Sequence, residues 1–181
     1  PNELIYLTDP DIEITSQSLT PLLTAHQEEL LTTDFHPVVG FGGKVRQRSN
    51  NSFLNQTFLL LERIARHFPF AFQIQNHRKT LLVDHLPACH LLLRRSVALK
   101  IGGFSYEQAR CGEDTDFTHR AYNQNYRFVY LPHSEVLHWQ NLSVFAWYAK
   151  VYDFGRAQIQ VQRKNFEQGL RLYRLLPLSF I

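Results

Sequence analysis

The sequence predicts a single α/β domain spanning residues 1–181. Short apolar runs bounded by turn residues alternate along the chain with segments whose apolar residues recur at helical spacing. Strands that alternate with helices are typical of a layered α/β architecture. Hydrophobic residues make up 44% of the 181 residues and aromatic residues 13%, so the chain can bury one sizeable core and is not disordered.

The first half of the chain predicts two strands and two helices. The apolar run at residues 4–7, closed by Asp9-Pro10-Asp11, is typical of a buried parallel strand that ends in a turn. Ser16 or Ser18 is expected to cap the helix that follows. The apolar face of that helix contains Leu19, Leu22, Leu23 and Leu30. The later elements are a strand at 37–39, a glycine stretch at 40–43 with a basic loop at 44–48, and a helix from Asn51 that ends before Pro69.

The second half predicts four extended segments and three helices. Ser96 begins a short helix that Gly102 and Gly103 terminate. A helix over residues 112–125 has acids in its first turn and an asparagine at its end. The extended segments are 81–83, 89–93, 126–130 and 135–139, and residues 143–181 form an amphipathic helical region.

Charge and cysteine content exclude several classes of protein. The formal net charge of +3 is too small an excess to indicate binding to nucleic acid, and we expect none. Two cysteines, Cys89 and Cys111, cannot form a disulfide framework and fit a reducing, cytoplasmic compartment. The chain lacks methionine and starts and stops near apolar runs, so we expect it to be an excerpt of a longer protein.

Asp9 and Asp11 are the first candidates for chemistry. Residues two apart in an extended segment point to the same side, so their carboxylates are expected to converge at the end of a strand. Two converging carboxylates predict a site for Mg²⁺ or Mn²⁺ that also holds substrate phosphates. The alternative is an ordinary turn, because Asp-Pro-Asp favours one.

Glu113, Asp114 and His138 each allow two interpretations. The two acids either stabilise the dipole of the predicted helix or supply a general base that takes a proton from an attacking hydroxyl. His138, beside Trp139, is either a metal ligand or a partly buried structural residue.

Short motifs follow one another through the second half of the chain. They are Ala88-Cys89-His90, Arg94-Arg95, Gly102-Gly103-Phe104, Gly112-Glu113-Asp114-Thr115-Asp116, Arg120, Tyr130-Leu131-Pro132 and His138. Their order and spacing resemble the C-terminal half of family 2 glycosyltransferases, which are inverting enzymes with the GT-A nucleotide-sugar-binding fold. Asp9-Pro10-Asp11 occupies the place of that family's Asp-x-Asp motif.

The resemblance implies a GT-A-like (Rossmann-like) mixed sheet flanked by helices. It also implies metal-dependent transfer of a sugar from a nucleotide-diphosphate sugar to the hydroxyl of a carbohydrate or lipid-linked acceptor. Asp114 would then be the base, and Glu113 would position the acceptor or orient Asp114. The other implied contacts are Asp9, Asp11 and His138 to the cation at the diphosphate, and Arg94, Arg95 and Arg120 to phosphate or to structural partners.

Departures from the family pattern leave alternatives open. The family's N-terminal nucleoside-binding half is missing, and Ser105 stands where an acid is usual. The Gln-x-x-Arg-Trp signature of processive members is absent, which favours single-sugar addition. Two alternatives are a nucleotidyltransferase on a similar fold and a non-catalytic carbohydrate- or lipid-binding module.

The closing region carries basic and aromatic residues together. From Lys150 onward there are six basic residues and two acids, a local charge of +4. One interpretation is peripheral contact with the inner, anionic face of a membrane. The other is a helix that packs its aromatic face on the sheet. The aromatic residues concerned are Phe145, Trp147, Tyr148, Tyr152 and Phe154.

Overall fold

A computed structural model describes residues 3–29, 36–48, 53, 56, 57, 60, 78–105, 111–139 and 141–164. The fold is α/β, as predicted, with a mixed, open sheet and helices. The backbone divides into two compact units. The first comprises Pro1–Arg46, Ile74–Ser105 and Glu113–His138, and the second comprises Gln47–Gln73, Tyr106–Gly112 and Trp139–Ile181.

Six strands and four helices have described bounds. The strands are β1 (Leu4–Thr8), β2 (Ile12–Glu13), β3 (Val38–Arg48), β4 (Leu81–Val83), β5 (His90–Arg94) and β6 (Arg127–Trp139). The helices are α1 (Ser16–Gln27), α2 (Arg95–Ile101), α3 (Glu113–Asn123) and α4 (Val144–Lys164). Most of the helix predicted from Asn51 lies outside the described residues. Among the four helices with described bounds, none combines the length and hydrophobicity needed to cross a bilayer.

The sheet combines antiparallel and parallel pairs in the order β1-β5-β3-β6-β2. β1 and β3 each pair antiparallel with β5, and β2 and β4 each pair antiparallel with β6. β3 and β6 run parallel, because the Arg127 N–H donates to the Pro37 carbonyl at 3.1 Å and Gly43 lies against the Ser134 carbonyl further along both strands. The prediction that residues 4–7 form a buried parallel strand is therefore wrong in orientation and degree of burial. β1 is antiparallel and half-buried at the end of the strand order.

Glycine allows β3 to extend through the segment predicted as a loop. A Cβ on Gly40 or Gly42 would lie 2.6 Å from a carbonyl oxygen of β5, and a Cβ on Gly43 would overlap the Ser134 carbonyl of β6. The missing side chains let the strand lie close to both neighbours. Residues 40–48 are consequently strand, and the predicted basic loop is wrong.

β6 joins the two extended segments predicted at 126–130 and 135–139 into one strand of 13 residues. β4 pairs with its Phe128–Tyr130 stretch, and β2 pairs with Leu137 and His138. Pro132 lies between these two pairings, where its missing N–H removes no described bond to β4 or β2.

The helix ends follow their local signals, with one correction. Gly102 ends α2 at φ 100°, and Asn125 has φ 68° just after α3, both as predicted for helix termination. α1 is preceded by Thr15, whose N–H donates to Ser18 Oγ at 3.1 Å, so neither Ser16 nor Ser18 is the N-cap. Leu23 is 43% exposed on that helix.

Two apolar clusters cover opposite faces of the sheet. β5 alternates between them, with Leu91 and Leu93 in one cluster and Leu92 in the other. Residues of α2 and α3 join the first cluster, and Leu22 and Ala25 of α1 join the second. The sheet therefore has α1 on one face and α2 with α3 on the other, a layered arrangement that leaves the strand ends available for a site.

Candidate metal and carboxylate site

Asp9 and Asp11 lie in a tight turn between β1 and β2. The Ile12 N–H donates to the Asp9 carbonyl at 3.2 Å, with Pro10 in the second position of the turn. Asp9 and Asp11 are both exposed. The turn that the sequence offered as one interpretation is present, and it holds both carboxylates at the end of β1.

Strand pairing brings His138 to this turn. Ile12 of β2 is paired with His138 of β6, so the preceding residue, Asp11, lies beside the imidazole. His138 Nε2 is 3.1 Å from Asp11 Oδ2, and the two side chains are 11% and 48% exposed. One ligand atom from each of Asp9, Asp11 and His138 lies within 4.8 Å of the others. These are the three residues predicted as metal ligands.

The donor set fits a divalent cation. An octahedral ion with ligands at about 2.1 Å keeps neighbouring ligand atoms about 3 Å apart. His138 Nε2 and Asp11 Oδ2, which are within hydrogen-bonding distance of each other at 3.1 Å, have about this spacing. Carboxylates suit Mg²⁺ and Mn²⁺ alike, whereas imidazole suits transition metals better. The set therefore favours Mn²⁺ over Mg²⁺.

Cys89 lies among three of the acidic side chains. β1 and β5 pair Thr8 with His90, which places Asp9 and Cys89 next to each other at the ends of these strands. Burial, and after it the negative charges of Asp9, Asp114 and Asp11, raise the pKa of the Cys89 thiol to about 12. The sequence alone did not indicate a role for Cys89 in the site, because its position beside Asp9 depends on the pairing of β1 with β5.

The acid pair at the start of α3 faces the same region. Asp114 accepts hydrogen bonds from the Thr115 N–H at 2.7 Å and the Ala88 N–H at 3.4 Å. The pKa of Glu113 is raised by burial first, and then by the charges of Asp114 and Asp9. The charge of Asp9 therefore acts on the Glu113 carboxyl, and Asp114 contacts Ala88, the residue that precedes Cys89.

The three candidate arginines are not part of this cluster. Arg94 pairs with Leu4, at the opposite end of β1 from Asp9, and Arg95 follows it as the exposed first residue of α2. The guanidinium of Arg94 lies 5.7 Å from the centre of the Phe41 ring. The structure therefore places neither residue beside the carboxylates.

Arg120 is held by structural contacts. Its Nε donates to Asp116 Oδ2 at 2.9 Å, and its two terminal nitrogens donate to the carbonyls of Ile101 and Gly103 at 2.9 and 2.6 Å. It thereby ties α3 to the end of α2. This is the structural alternative that the sequence left open for Arg120.

No protein-family model matches the chain, and no curated protein matches it either. Support for a function therefore comes from the side chains of the cluster just described.

Proposed function

We propose that the chain is a metal-dependent inverting glycosyltransferase with a GT-A-like fold. It would transfer one sugar from a nucleotide-diphosphate sugar to a hydroxyl of a carbohydrate or lipid-linked acceptor. The observation that supports this most directly is the clustering of one ligand atom each of Asp9, Asp11 and His138 within 4.8 Å. Asp114 accepts a hydrogen bond from Ala88, next to Cys89, and the charge of Asp9 helps to raise the pKa of Glu113.

The charge of the site makes a cation necessary for this function. Asp9, Asp11, Asp114 and Glu113 would repel a donor diphosphate, because like charges in a partly buried site destabilise one another. Asp9, Asp11 and His138 would hold Mn²⁺ or Mg²⁺, which when bound neutralises negative charge on a diphosphate. Donor binding should therefore depend on a divalent cation.

Asp114 is suited to act as the base. Its orientation is held by the N–H groups of Thr115 and Ala88, so the carboxylate does not need to be ordered when the acceptor binds. In the transfer, the acceptor oxygen forms a bond to the anomeric carbon, the bond to the diphosphate oxygen breaks, and the hydroxyl proton passes to Asp114. Attack opposite the leaving group inverts the anomeric centre. Glu113 would position the acceptor or orient Asp114.

Calorimetric titration tests the binding half of this proposal. The chain is titrated with Mn²⁺ and then, in its presence, with a panel of UDP- and GDP-sugars. The Asp9→Ala/Asp11→Ala variant should lose metal-dependent donor binding, whereas Glu28→Gln, an exposed carboxylate on the C-cap of α1, should retain it. Donor binding by the double variant that still requires the metal would contradict the assignment.

Turnover measurements test the chemical half. Asp114→Asn should reduce turnover about 100-fold or more while donor binding is unchanged, as expected for loss of a general base. Glu113→Gln should reduce turnover less. Turnover near that of the wild type in Asp114→Asn would remove Asp114 from this role. Release of pyrophosphate in place of a nucleoside diphosphate would indicate a nucleotidyltransferase.

A further inference from the structure

Helix α4 exposes aromatic residues where a helix at a protein surface usually exposes polar ones. Phe145, Tyr148 and Tyr152 are 87%, 64% and 65% exposed, and Ile159 is 48% exposed. Ala157 and Val161 of the same helix are buried. We expected, as one interpretation, that α4 packs its aromatic face on the sheet. These three aromatic side chains are exposed instead.

The exposed residues form one stripe along α4, which consists of Phe145, Tyr148, Tyr152, Arg156, Ile159 and Arg163. Successive residues of an α-helix are about 100° apart, so the stripe fits within an arc of about 80°. Ala157 and Val161 lie on the opposite side of the helix. The stripe is about 27 Å long at about 1.5 Å per residue.

The charge of the stripe is positive. Arg156 and Arg163 are exposed, and no member of the stripe is acidic, since Asp153 is the acid of α4 and lies outside the arc. The Arg156 guanidinium lies 5.8 Å from the centre of the Tyr152 ring, so charge and aromatic surface are presented together. Two copies of the stripe would bring like charges together, which disfavours self-association through this face.

We propose that this stripe of α4 binds the surface of a membrane containing anionic lipids, with the helix axis parallel to the bilayer. Phenylalanine, tyrosine and isoleucine side chains enter the boundary between headgroups and acyl chains, while the arginines contact anionic headgroups. This surface is independent of the carboxylate site. It would hold the protein at a bilayer whether or not the proposed transferase activity is correct.

Vesicle co-sedimentation tests the proposal with the full chain. Vesicles of phosphatidylcholine with about 30% phosphatidylglycerol should bind the chain, and vesicles of phosphatidylcholine alone should bind it several times more weakly. Binding to the anionic vesicles should weaken as salt is raised from 0.15 M to 1 M, because the screening length falls from about 8 Å to about 3 Å.

Two pairs of variants separate the apolar and charged contributions. Phe145→Ala/Tyr152→Ala and Arg156→Gln/Arg163→Gln should each bind less, with roughly a fivefold loss for each arginine removed. The matched controls are Leu23→Ala/Leu99→Ala, exposed apolar residues of α1 and α2, and Lys79→Gln/Lys100→Gln, exposed cations that are not part of α4. The controls should bind like the wild type.

Three results would overturn the proposal. One is equal binding to neutral and anionic vesicles, and another is wild-type binding by both stripe variants. The third is absence of vesicle binding. In that case, a dimer in ultracentrifugation that Phe145→Ala/Tyr152→Ala abolishes would indicate self-association through this face instead. Circular dichroism of each variant verifies that the total helix content is unchanged.

Discussion

At the scale of single residues, the reactivity of the Cys89 thiol depends on the negative charges of the carboxylates around it. Burial and the charges of Asp9, Asp114 and Asp11 raise its pKa to about 12. Since the thiolate is the reactive form, Cys89 should react slowly with alkylating reagents at pH 8 although its side chain is only partly buried.

Asp9→Asn should accelerate alkylation of Cys89 by iodoacetamide. Removing one negative charge lowers the pKa of the thiol, and each pH unit of lowering multiplies the thiolate fraction about tenfold. We expect a severalfold increase, measured by mass spectrometry with Cys111 as the internal reference. Glu28→Gln is the control. An unchanged Cys89 rate in Asp9→Asn would show that the two side chains are not electrostatically coupled.

His90 is the centre of a second network of side chains, which contains no carboxylate. The His90 side chain is fully buried, with Nδ1 2.8 Å from the Tyr6 hydroxyl and Nε2 2.8 Å from Ser134 Oγ. The Ser134 hydroxyl donates to the Ser18 carbonyl at 2.5 Å. Ser134 Oγ must therefore accept from His90 Nε2–H, and Tyr6 must donate to Nδ1, so the neutral imidazole is fully used.

This network predicts loss of stability in acid. Burial lowers the pKa of His90 to about 4 from an ordinary 6.5, so the unfolded chain binds the proton first. Stability is lost as pH falls from about 6.5 to about 4, by up to about 3 kcal/mol from this group. Urea unfolding at pH 7 and pH 4 measures this difference. Between the two pH values, the free energy of unfolding of His90→Asn should fall by correspondingly less than that of the wild type.

Tyr6→Phe tests the same network without removing the imidazole. It leaves Nδ1 without its donor and should lower the free energy of unfolding at pH 7 by about 1–2 kcal/mol. Tyr6→Phe with wild-type stability, or a pH dependence unchanged in His90→Asn, would contradict the network.

At the scale of elements, close approach of strands is specified by glycine. A Cβ on Gly43 would overlap the Ser134 carbonyl, whereas a Cβ on Gly155, in the interior of α4, would meet no atom within 4 Å. Gly43→Ala should therefore destabilise the protein by about 1–3 kcal/mol. Gly155→Ala should stabilise it by about 0.5–1 kcal/mol, since alanine favours the helix. Denaturant titrations measure both, and equal effects would contradict the packing of β3 against β6.

Local signals in the sequence locate helix ends but not strand partners. Gly102 and Asn125 were sufficient to predict the ends of α2 and α3, because a left-handed residue terminates a helix whatever surrounds it. Gly40 and Gly42 predicted a loop, although they serve contact with β5. The extended segments 126–130 and 135–139 were predicted separately, although β6 continues through Pro132, which lies between the positions that pair with β4 and β2. Pairing is a property of two strands, and one strand's sequence does not contain it.

The candidate site was likewise predictable from the sequence only in part. Asp9, Asp11, Asp114 and His138 were selected by residue type, order and spacing, and the structure brings the first two to His138. Their roles in metal binding and catalysis remain predictions. Cys89 was given no role in the site, and Arg94 and Arg95 were expected to contact phosphate or structural partners. Their positions follow from the antiparallel register of β1 and β5, which puts Cys89 at one end and both arginines at the other.

At the scale of the whole molecule, the candidate metal ligands come from distant parts of the chain. Asp9 and Asp11 lie near one end of the sequence, and His138 follows 127 residues after Asp11. All three belong to the first compact unit. The unfolded chain does not hold them together, so a cation that binds all three binds the folded state in preference and stabilises it.

Mn²⁺ should therefore raise the unfolding temperature of the first unit. At a free concentration 100 times the dissociation constant, a single site adds about 2.7 kcal/mol, or roughly 5–10 °C for a chain of this size. Differential scanning calorimetry of the wild type with increasing Mn²⁺ measures the shift. Asp9→Asn/Asp11→Asn should abolish the shift, although removing the carboxylates also relieves their mutual repulsion and need not lower stability without metal. Glu28→Gln should shift like the wild type, because its carboxylate lies on α1. A shift of equal size in Asp9→Asn/Asp11→Asn would place the metal elsewhere in the molecule and remove the basis for donor binding at this turn.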